Sequence, residues 1–160
     1  ANIVGGNIPS FVQMMNEKAK EIGMYSTSFE TPSGLDGDNH YSTAYDMALL
    51  GAYAIKNPEF RSICSAESMI VYYGAPPYRR VLTNHNKLLS MYDGVFGIKT
   101  GFTKKSGRCL VSAVEKDGKT LVTQTPELDF SLVIYSSPEL VKGEKYTVSI
   151  GTDTGEMEAN

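Results

Sequence analysis

The chain has 160 residues, 41% of them hydrophobic, which suffices to bury one core and gives no reason to propose a second full-sized domain. Its 15 lysines and arginines against 18 aspartates and glutamates give a net charge of −3, which argues against nucleic acid or an anionic lipid surface as a partner. No apolar run reaches the roughly 20 residues that span a bilayer, and no basic segment followed by an apolar one opens the chain. We therefore expect neither a transmembrane segment nor an export signal in it.

The first predicted helix begins at Asn7-Ile8-Pro9, where an asparagine can cap the first turn and a proline is tolerated within it. Apolar residues then follow at helical spacing: Phe11, Met14, Met15, Ala19 and Ile22. Gly23 is placed to end this helix. The stretch from Thr31 to His40 is rich in Pro, Gly, Asp and Asn, which predicts an exposed loop.

Two further helices are predicted before the first strand. Thr43 to Asp46 approximates a capping box and introduces a helix that ends near Lys56. Its predicted buried face is Met47, Leu50, Gly51 and Ala54. Asn57-Pro58 starts a short helix that runs through Ile63.

Strand formers dominate most of the remaining chain. Met69 to Tyr73 predicts a strand that stops at Gly74, and a helical turn near Asn86 to Leu89 leads to a strand from Gly94 to Thr100. Asp117-Gly118 between Leu110–Val114 and Thr120–Val122 is typical of a tight antiparallel hairpin, so we expect the strand ending at Thr100 to join an antiparallel sheet.

The apolar run of the hairpin stops at Val122, and this change in composition indicates a domain boundary. We predict a domain of residues 1–123 and a β-rich segment and tail of residues 124–160. Within the second part, Phe130–Tyr135 and Tyr146–Ile150 are predicted strands, and the polar residues Gly151–Asn160 a frayed tail.

The cysteines and histidines do not form a metal-binding pattern. Cys64, Cys109, His40 and His85 lack the close pairs that structural zinc sites use, so we expect no metal and no cofactor. The two cysteines fall in different predicted elements, and we expect two free, partly buried thiols.

The most informative stretch is Gly97-Ile98-Lys99-Thr100-Gly101-Phe102-Thr103. Lys99 and Thr100 can both donate hydrogen bonds to a carboxylate, and Gly101 leaves no side chain in the way of a ligand lying along the strand. The structural alternative makes Lys99 a solvated lysine at a strand end and Gly101 a turn residue.

A Lys-Thr-Gly triplet also occurs among the signatures of penicillin-binding proteins and class A β-lactamases. Three blocks extend the likeness: Met15 to Met24, His40 to Ala48, and Asn86 to Leu89 followed by Gly97 to Thr103. With these blocks in this order, residues from about Phe11 to Val122 resemble the second half of the transpeptidase-like domain of the D-alanyl-D-alanine carboxypeptidases. These are low-molecular-mass penicillin-binding proteins of the cell envelope, which trim the stem peptides of peptidoglycan.

The resemblance implies an α+β fold with an antiparallel sheet and packed helices, and a serine acyl-transfer mechanism. It implies that Lys99 and Thr100 bind the carboxylate of a stem peptide or a β-lactam, that Gly101 admits the extended peptide, and that the backbone amide of Phe102 helps to form an oxyanion hole. By resemblance, the protein works outside the cell or in the cell envelope.

Two motifs of that family are missing from this sequence. None of its serines is followed three positions later by Lys, as the nucleophile motif requires, or two positions later by Asn. We therefore expect the chain alone to be inactive. We also expect the exposed apolar edges of its sheet to favour association with an N-terminal fragment or with a second copy of the chain. The alternatives are a non-catalytic module that binds peptidoglycan or carbohydrate, and a structural or interaction domain.

Overall fold

The computed structural model describes residues 1–126, 133–136, 145–150 and 153–158. The helices are α1 (Asn2–Gly5), α2 (Ile8–Glu21), α3 (Ala44–Ala54), α4 (Pro58–Ser65) and α5 (Leu88–Met91). The strands are β1 (Ser68–Tyr73), β2 (Tyr78–Thr83), β3 (Val95–Thr103), β4 (Gly107–Lys116), β5 (Lys119–Pro126), β6 (Val133–Ser136), β7 (Lys145–Ile150) and β8 (Asp153–Glu158). Helices packed on antiparallel strands confirm the predicted α+β class. Over these residues, no helix is both long enough and apolar enough to cross a bilayer.

The three predicted helix starts are confirmed, because a side chain caps each one. The Asn7 Oδ1 atom accepts a hydrogen bond from the Ser10 amide at 2.8 Å, and Thr43 Oγ1 accepts one from the Asp46 amide at 3.1 Å. Asn57 Oδ1 accepts from two amides of the first turn of α4. Such caps satisfy amides that have no partner within the helix. The short helix α1 was not predicted.

Strands β3, β4, β5 and β6 form one antiparallel sheet in that order. The predicted tight turn is present: Asp117 and Gly118 have φ angles of 52° and 75°, which suit a type I′ turn, and Lys116 pairs with Lys119 across it. The prediction for β3 ended too early, because the strand continues through Thr103 and its pairing with β4 through Gly107. Lys99 to Gly101 therefore lie within the strand and not at its end.

The core forms where α3 packs against this sheet. Its buried members are Ala48 and Ala52 from the helix and Phe96, Ile98, Val111, Ala113 and Val122 from the sheet. The predicted buried face of α3 was partly wrong, since Ala48, Gly51 and Ala52 are buried while Met47 is only partly buried. Small residues bring the helix close to the sheet: a Cβ atom on Gly51 would lie 2.9 Å from Val122 Cγ1 and 3.0 Å from Ile98 Cδ1.

Strand β2 is an element that sequence patterns did not predict. It pairs antiparallel with β1, with Tyr73 opposite Tyr78 and Ser68 opposite Thr83. The predicted strand from Met69 to Tyr73 is confirmed as β1, and it stops before Gly74 as expected. Adjacent Arg79 and Arg80 interrupt the apolar alternation that marks a half-buried strand, and β2 is exposed along its whole length.

The predicted frayed tail is wrong for residues 153–158, which form β8. This strand pairs antiparallel with β7, with Asp153 opposite Ile150 and Glu158 opposite Lys145. Strand pairing uses the backbone, so the polar and acidic side chains of this segment do not prevent it. The predicted strand Phe130–Tyr135 is present as β6 from Val133 on, and its first three residues lie outside the described part of the chain. The boundary between residues 123 and 124 stays a prediction.

The two cysteines are free, as predicted. Cys64 is buried beneath β3, where its Sγ atom donates to the Phe96 carbonyl oxygen at 3.6 Å, and Cys109 is partly exposed. Burial raises the pKa of the Cys64 thiol, because the charged thiolate loses its solvation there.

Close packing at Gly51 yields a test of the core. We expect Gly51→Ala to lower the free energy of unfolding by about 1 kcal/mol, since the clash with buried side chains exceeds the gain in helix propensity. Val122→Ala should cost about 2 kcal/mol by leaving a cavity. Because the second change makes room for the first, the double variant should lose less than the sum, as measured by urea unfolding. Strictly additive losses would contradict this packing.

Cys64 yields a second test. In a Cys109→Ser variant at about pH 8, we expect a disulfide reagent to modify Cys64 at least roughly tenfold more slowly in the folded than in the denatured chain. Since the raised pKa keeps the folded thiol protonated where the unfolded one ionises, stability should also fall as the pH rises through the ordinary pKa of a thiol. Equal labelling rates in the two states would show that the thiol is accessible.

Candidate functional site

Strand β3 carries the triplet on a sheet edge. It pairs on one side with β4, where Lys99 lies opposite Val111 and Gly101 opposite Cys109. Within the described residues, no strand pairs with its other side. An edge strand presents unpaired amide and carbonyl groups, with which an extended peptide can form a further strand.

Lys99 and Thr100 carry the two side-chain hydrogen-bond donors of the triplet. The Lys99 side chain is exposed and its ammonium group donates to the Thr100 carbonyl oxygen. Thr100 is partly buried, and its hydroxyl has no hydrogen-bond partner in the described part of the chain. An ammonium group has three donors, so Lys99 can keep this contact and still donate to a carboxylate.

The next two residues leave the strand open to solvent. A Cβ atom on Gly101 would meet no other atom of the described residues within 4 Å, so their packing gives no reason for a glycine there. Phe102 follows with its side chain 68% exposed, opposite Arg108 on β4. The space beside Gly101 is available to a ligand, and Phe102 offers it an exposed aromatic face.

Two buried polar side chains hold β3 just before the triplet. The Asn86 Nδ2 and Ser112 Oγ atoms each donate to the Gly97 carbonyl oxygen at 3.0 Å. Asn86 is 4% exposed and Ser112 7% exposed. Buried donors of this kind are costly to leave unpaired, so both fix the backbone two residues before Lys99. Sequence patterns placed Asn86 in a helical turn and gave neither residue a role.

The loop from Thr31 to His40, predicted to be exposed and irregular, reaches the far end of β3. Thr103 Oγ1 donates to Asp36 Oδ1 at 2.8 Å and accepts from the Ser106 amide at 2.9 Å. This contact joins residues that lie 67 positions apart, and no local pattern signals it. The loop therefore lies beside the strand that carries the triplet.

Positive charge surrounds this end of β3, although the whole chain is acidic. Lys99, Lys104 and Lys105 are exposed on the strand and the turn after it, and Arg108 lies opposite Phe102. Asp36 contributes a negative charge at this end through its hydrogen bond with Thr103. An excess of cationic groups favours an anionic ligand at this edge.

Other candidate sites are less well supported. No group of three His, Cys, Asp or Glu side chains within the described residues could hold a metal ion. A shallow depression of about 450 Å³ on α4 is lined by Pro58, Glu59, Ser62 and Ile63, none of which belongs to the β3 edge. The edge of β3 therefore remains the candidate site.

Comparisons with known proteins give this edge a context. Residues 1–125 match a family model described as D-alanyl-D-alanine carboxypeptidase, and they include the whole triplet. The carboxypeptidase DacF of Bacillus subtilis is 31% identical over an alignment that covers 98% of this chain and 44% of that protein. DacA of Haemophilus influenzae is 37% identical over 71% of this chain and 28% of that protein. The chain thus spans less than half the length of these relatives.

Solved structures agree with the sequence comparisons. The DD-transpeptidase of Streptomyces K15 superposes with a TM-score of 0.69 at 30% identity, over 74% of this chain and 47% of that one. A D-alanyl-D-alanine carboxypeptidase of Mycobacterium tuberculosis gives a TM-score of 0.71 at 32% identity, over 79% and 48%. Since the family model alone covers more than half of its residues, the chain belongs to the D-alanyl-D-alanine carboxypeptidase family.

Proposed function

We propose that this chain supplies the carboxylate-binding side of a serine-type D-alanyl-D-alanine carboxypeptidase that acts on peptidoglycan stem peptides. One observation carries the proposal: Lys99, Thr100 and Gly101 lie on β3, which has no strand partner on its second side among the described residues, and inside the region that matches the family. β-Lactams, which also carry a carboxylate, would bind at the same edge.

Charge and hydrogen bonding assign a role to the first two residues. The exposed Lys99 ammonium group keeps two free donors beyond its contact with the Thr100 carbonyl, and the Thr100 hydroxyl is unpaired among the described residues. Together they would donate to the terminal carboxylate of the peptide. Such charge-assisted bonds are about twice as strong as neutral ones, and Lys104 and Lys105 would strengthen the local field.

Gly101 and Phe102 would contribute open space and a backbone hydrogen-bond donor. The open space beside Gly101 would admit the extended peptide along β3, where its backbone could pair with the free edge. The amide of Phe102 would then donate to the oxyanion that forms during acyl transfer. Gly97, clamped by Asn86 and Ser112, would keep the strand in place as the ligand binds.

The acylation step itself needs groups that these residues do not include. The reaction transfers the acyl group to a serine whose proton passes to a lysine, and this sequence has no Ser-x-x-Lys motif. We propose that the chain alone binds but does not acylate, and that a separate N-terminal part of the domain, or association with another chain, completes the site.

The domain limits and location follow the same proposal. We place the carboxypeptidase-like domain at residues 1–123, and the β-rich segment at 124–160; the family match ending at residue 125 supports this division. The substrate class would place the working protein in the cell envelope.

A second candidate is a non-catalytic module that binds peptidoglycan or carbohydrate, which the missing nucleophile motif favours. A fluorescent penicillin separates the two. Covalent labelling of the chain when it is mixed with a segment that supplies the Ser-x-x-Lys motif would support an enzyme, whereas reversible binding of a soluble muropeptide without labelling in that mixture would support a module. A structural or interaction domain would bind neither.

Removal of the ammonium group tests the site directly. We expect Lys99→Ala to weaken binding of a soluble stem peptide ending in D-alanyl-D-alanine about 10- to 100-fold, since a hydrogen bond to a charged group contributes roughly 1.5–3 kcal/mol. Titration calorimetry measures the change. The matched control is Lys104→Ala, which removes an exposed charge from the next turn and should have a much smaller effect. If both variants weaken binding equally, Lys99 attracts the peptide only through its charge and does not form a specific contact with the carboxylate.

Two glycines on the same strand separate ligand space from packing. Gly101→Val should leave the free energy of unfolding within about 0.5 kcal/mol, because its side chain enters open space, yet it should block the stem peptide. Gly97→Ala should cost about 1–3 kcal/mol, because its Cβ atom would lie 2.8 Å from Cys64 Sγ. Denaturant unfolding and peptide binding measured on both variants check this. Wild-type affinity in Gly101→Val would show that the stem peptide does not occupy the space beside Gly101.

A further inference from the structure

The hairpin of β1 and β2 is the most exposed regular structure among the residues with described side chains. Of its twelve strand residues, only Val71 is partly buried. Three tyrosines near the turn are more than half exposed: Tyr72 at 66%, Tyr73 at 55% and Tyr78 at 60%. A two-stranded hairpin is marginally stable without further packing, and aromatic side chains left in water on both faces indicate a binding surface.

The pairing of the strands sorts these side chains onto two faces. Tyr72 lies opposite Arg79 on one face, and the other carries Tyr73 opposite Tyr78, with ring centroids 6.0 Å apart. Arg80 lies opposite Val71 on this second face. Each face therefore combines an arginine with at least one exposed tyrosine.

The charge of the hairpin is opposite to that of the chain. Between Ser68 and Thr83 there are two arginines and no acidic residue, which gives a local charge of +2 in a chain of net charge −3. Neither Arg79 nor Arg80 has an ion pair or a hydrogen-bond partner among the side chains that the structure describes. Two adjacent, unpaired guanidinium groups suit carboxylates, which they can bind in bidentate fashion.

A chain of polar contacts ties the base of the hairpin to the candidate site. The Asn84 amide donates to the Glu67 carbonyl at 2.8 Å, and Asn84 Nδ2 donates to the Cys64 and Ala66 carbonyls at 3.1 Å. Asn84 Oδ1 accepts from the Asn86 amide at 3.0 Å, and Asn86 itself donates to Gly97 on β3. The hairpin is thus anchored to the strand that carries the triplet.

We infer that the β1–β2 hairpin is a second binding surface for the same acidic polymer, a peptidoglycan strand, and that it holds the polymer while one stem peptide enters the β3 edge. This inference rests on the proposed function. The arginines would bind carboxylates of neighbouring stem peptides, and the exposed tyrosine rings would pack against the apolar faces of sugar rings.

An anionic membrane fits the hairpin less well. The turn between the strands, Gly74 to Pro77, has no large apolar side chain to insert into a bilayer. Arginines lie on both faces, so neither face is the apolar one that a membrane-surface element requires. A polymer that combines carboxylates with sugar rings matches both faces.

The test measures cosedimentation of the full chain with purified peptidoglycan sacculi freed of teichoic acids. We expect Tyr72→Ala/Arg79→Ala to weaken binding at least about tenfold, because tyrosine and arginine are enriched among the few residues that dominate binding at an interface. The matched control is Lys20→Ala/Tyr25→Ala, which removes one exposed cation and one exposed tyrosine outside the hairpin and should bind as the wild type does.

Soluble stem peptide separates this inference from the function on which it rests. The hairpin variant should bind that peptide with wild-type affinity, whereas Lys99→Ala should not. If the hairpin variant retains full affinity for sacculi while Lys99→Ala loses affinity for the peptide, the second surface is excluded and the proposed function stands. If the wild type binds anionic phospholipid vesicles and not sacculi, and the hairpin variant loses the vesicles, the surface is a membrane contact and the inference fails.

Discussion

The antiparallel pairing of β3 with β4 is the constraint on which the candidate site depends. It pairs eight of the nine residues of β3, all except Phe96, from one side, and leaves the other side unpaired among the described residues. Because of this asymmetry, Lys99, Thr100 and Gly101 lie on a strand whose second side has no strand partner among the described residues. Were the second edge also paired, their backbone groups could not accept a further strand, and the triplet would be an ordinary part of a sheet.

Buried polar groups supply the precision that apolar packing alone would not. Asn84, Asn86 and Ser112 satisfy backbone carbonyls in the segment between α4 and β4, and two of them converge on Gly97. An unsatisfied buried group costs about 1–3 kcal/mol, so these contacts hold the backbone in one arrangement. The same asparagines connect the base of the β1–β2 hairpin to β3, and this gives the hairpin and the triplet a common support.

Three glycines on or near β3 differ in what lies next to them. Gly51 lets α3 approach the sheet, and Gly97 lies against the sulfur of Cys64, so each is explained by the protein's own packing. Gly101 differs, since nothing in the described residues occupies the space next to it. No packing contact within the described residues accounts for a glycine at this position.

Local patterns in the sequence determined the helix caps at Asn7, Thr43 and Asn57 and the tight turn at Asp117-Gly118, because each depends on neighbours along the chain. The α+β class followed from the family resemblance of the residues around the triplet. Only the tertiary structure decided that β3 is an edge strand, that Asn86 and Ser112 meet at Gly97, and that Asp36 reaches Thr103. It also decided that α3 buries its small residues, and that the segment from Asp153 pairs as a strand. These features depend on contacts between residues far apart in sequence, where the geometry of the whole sheet outweighs local propensity.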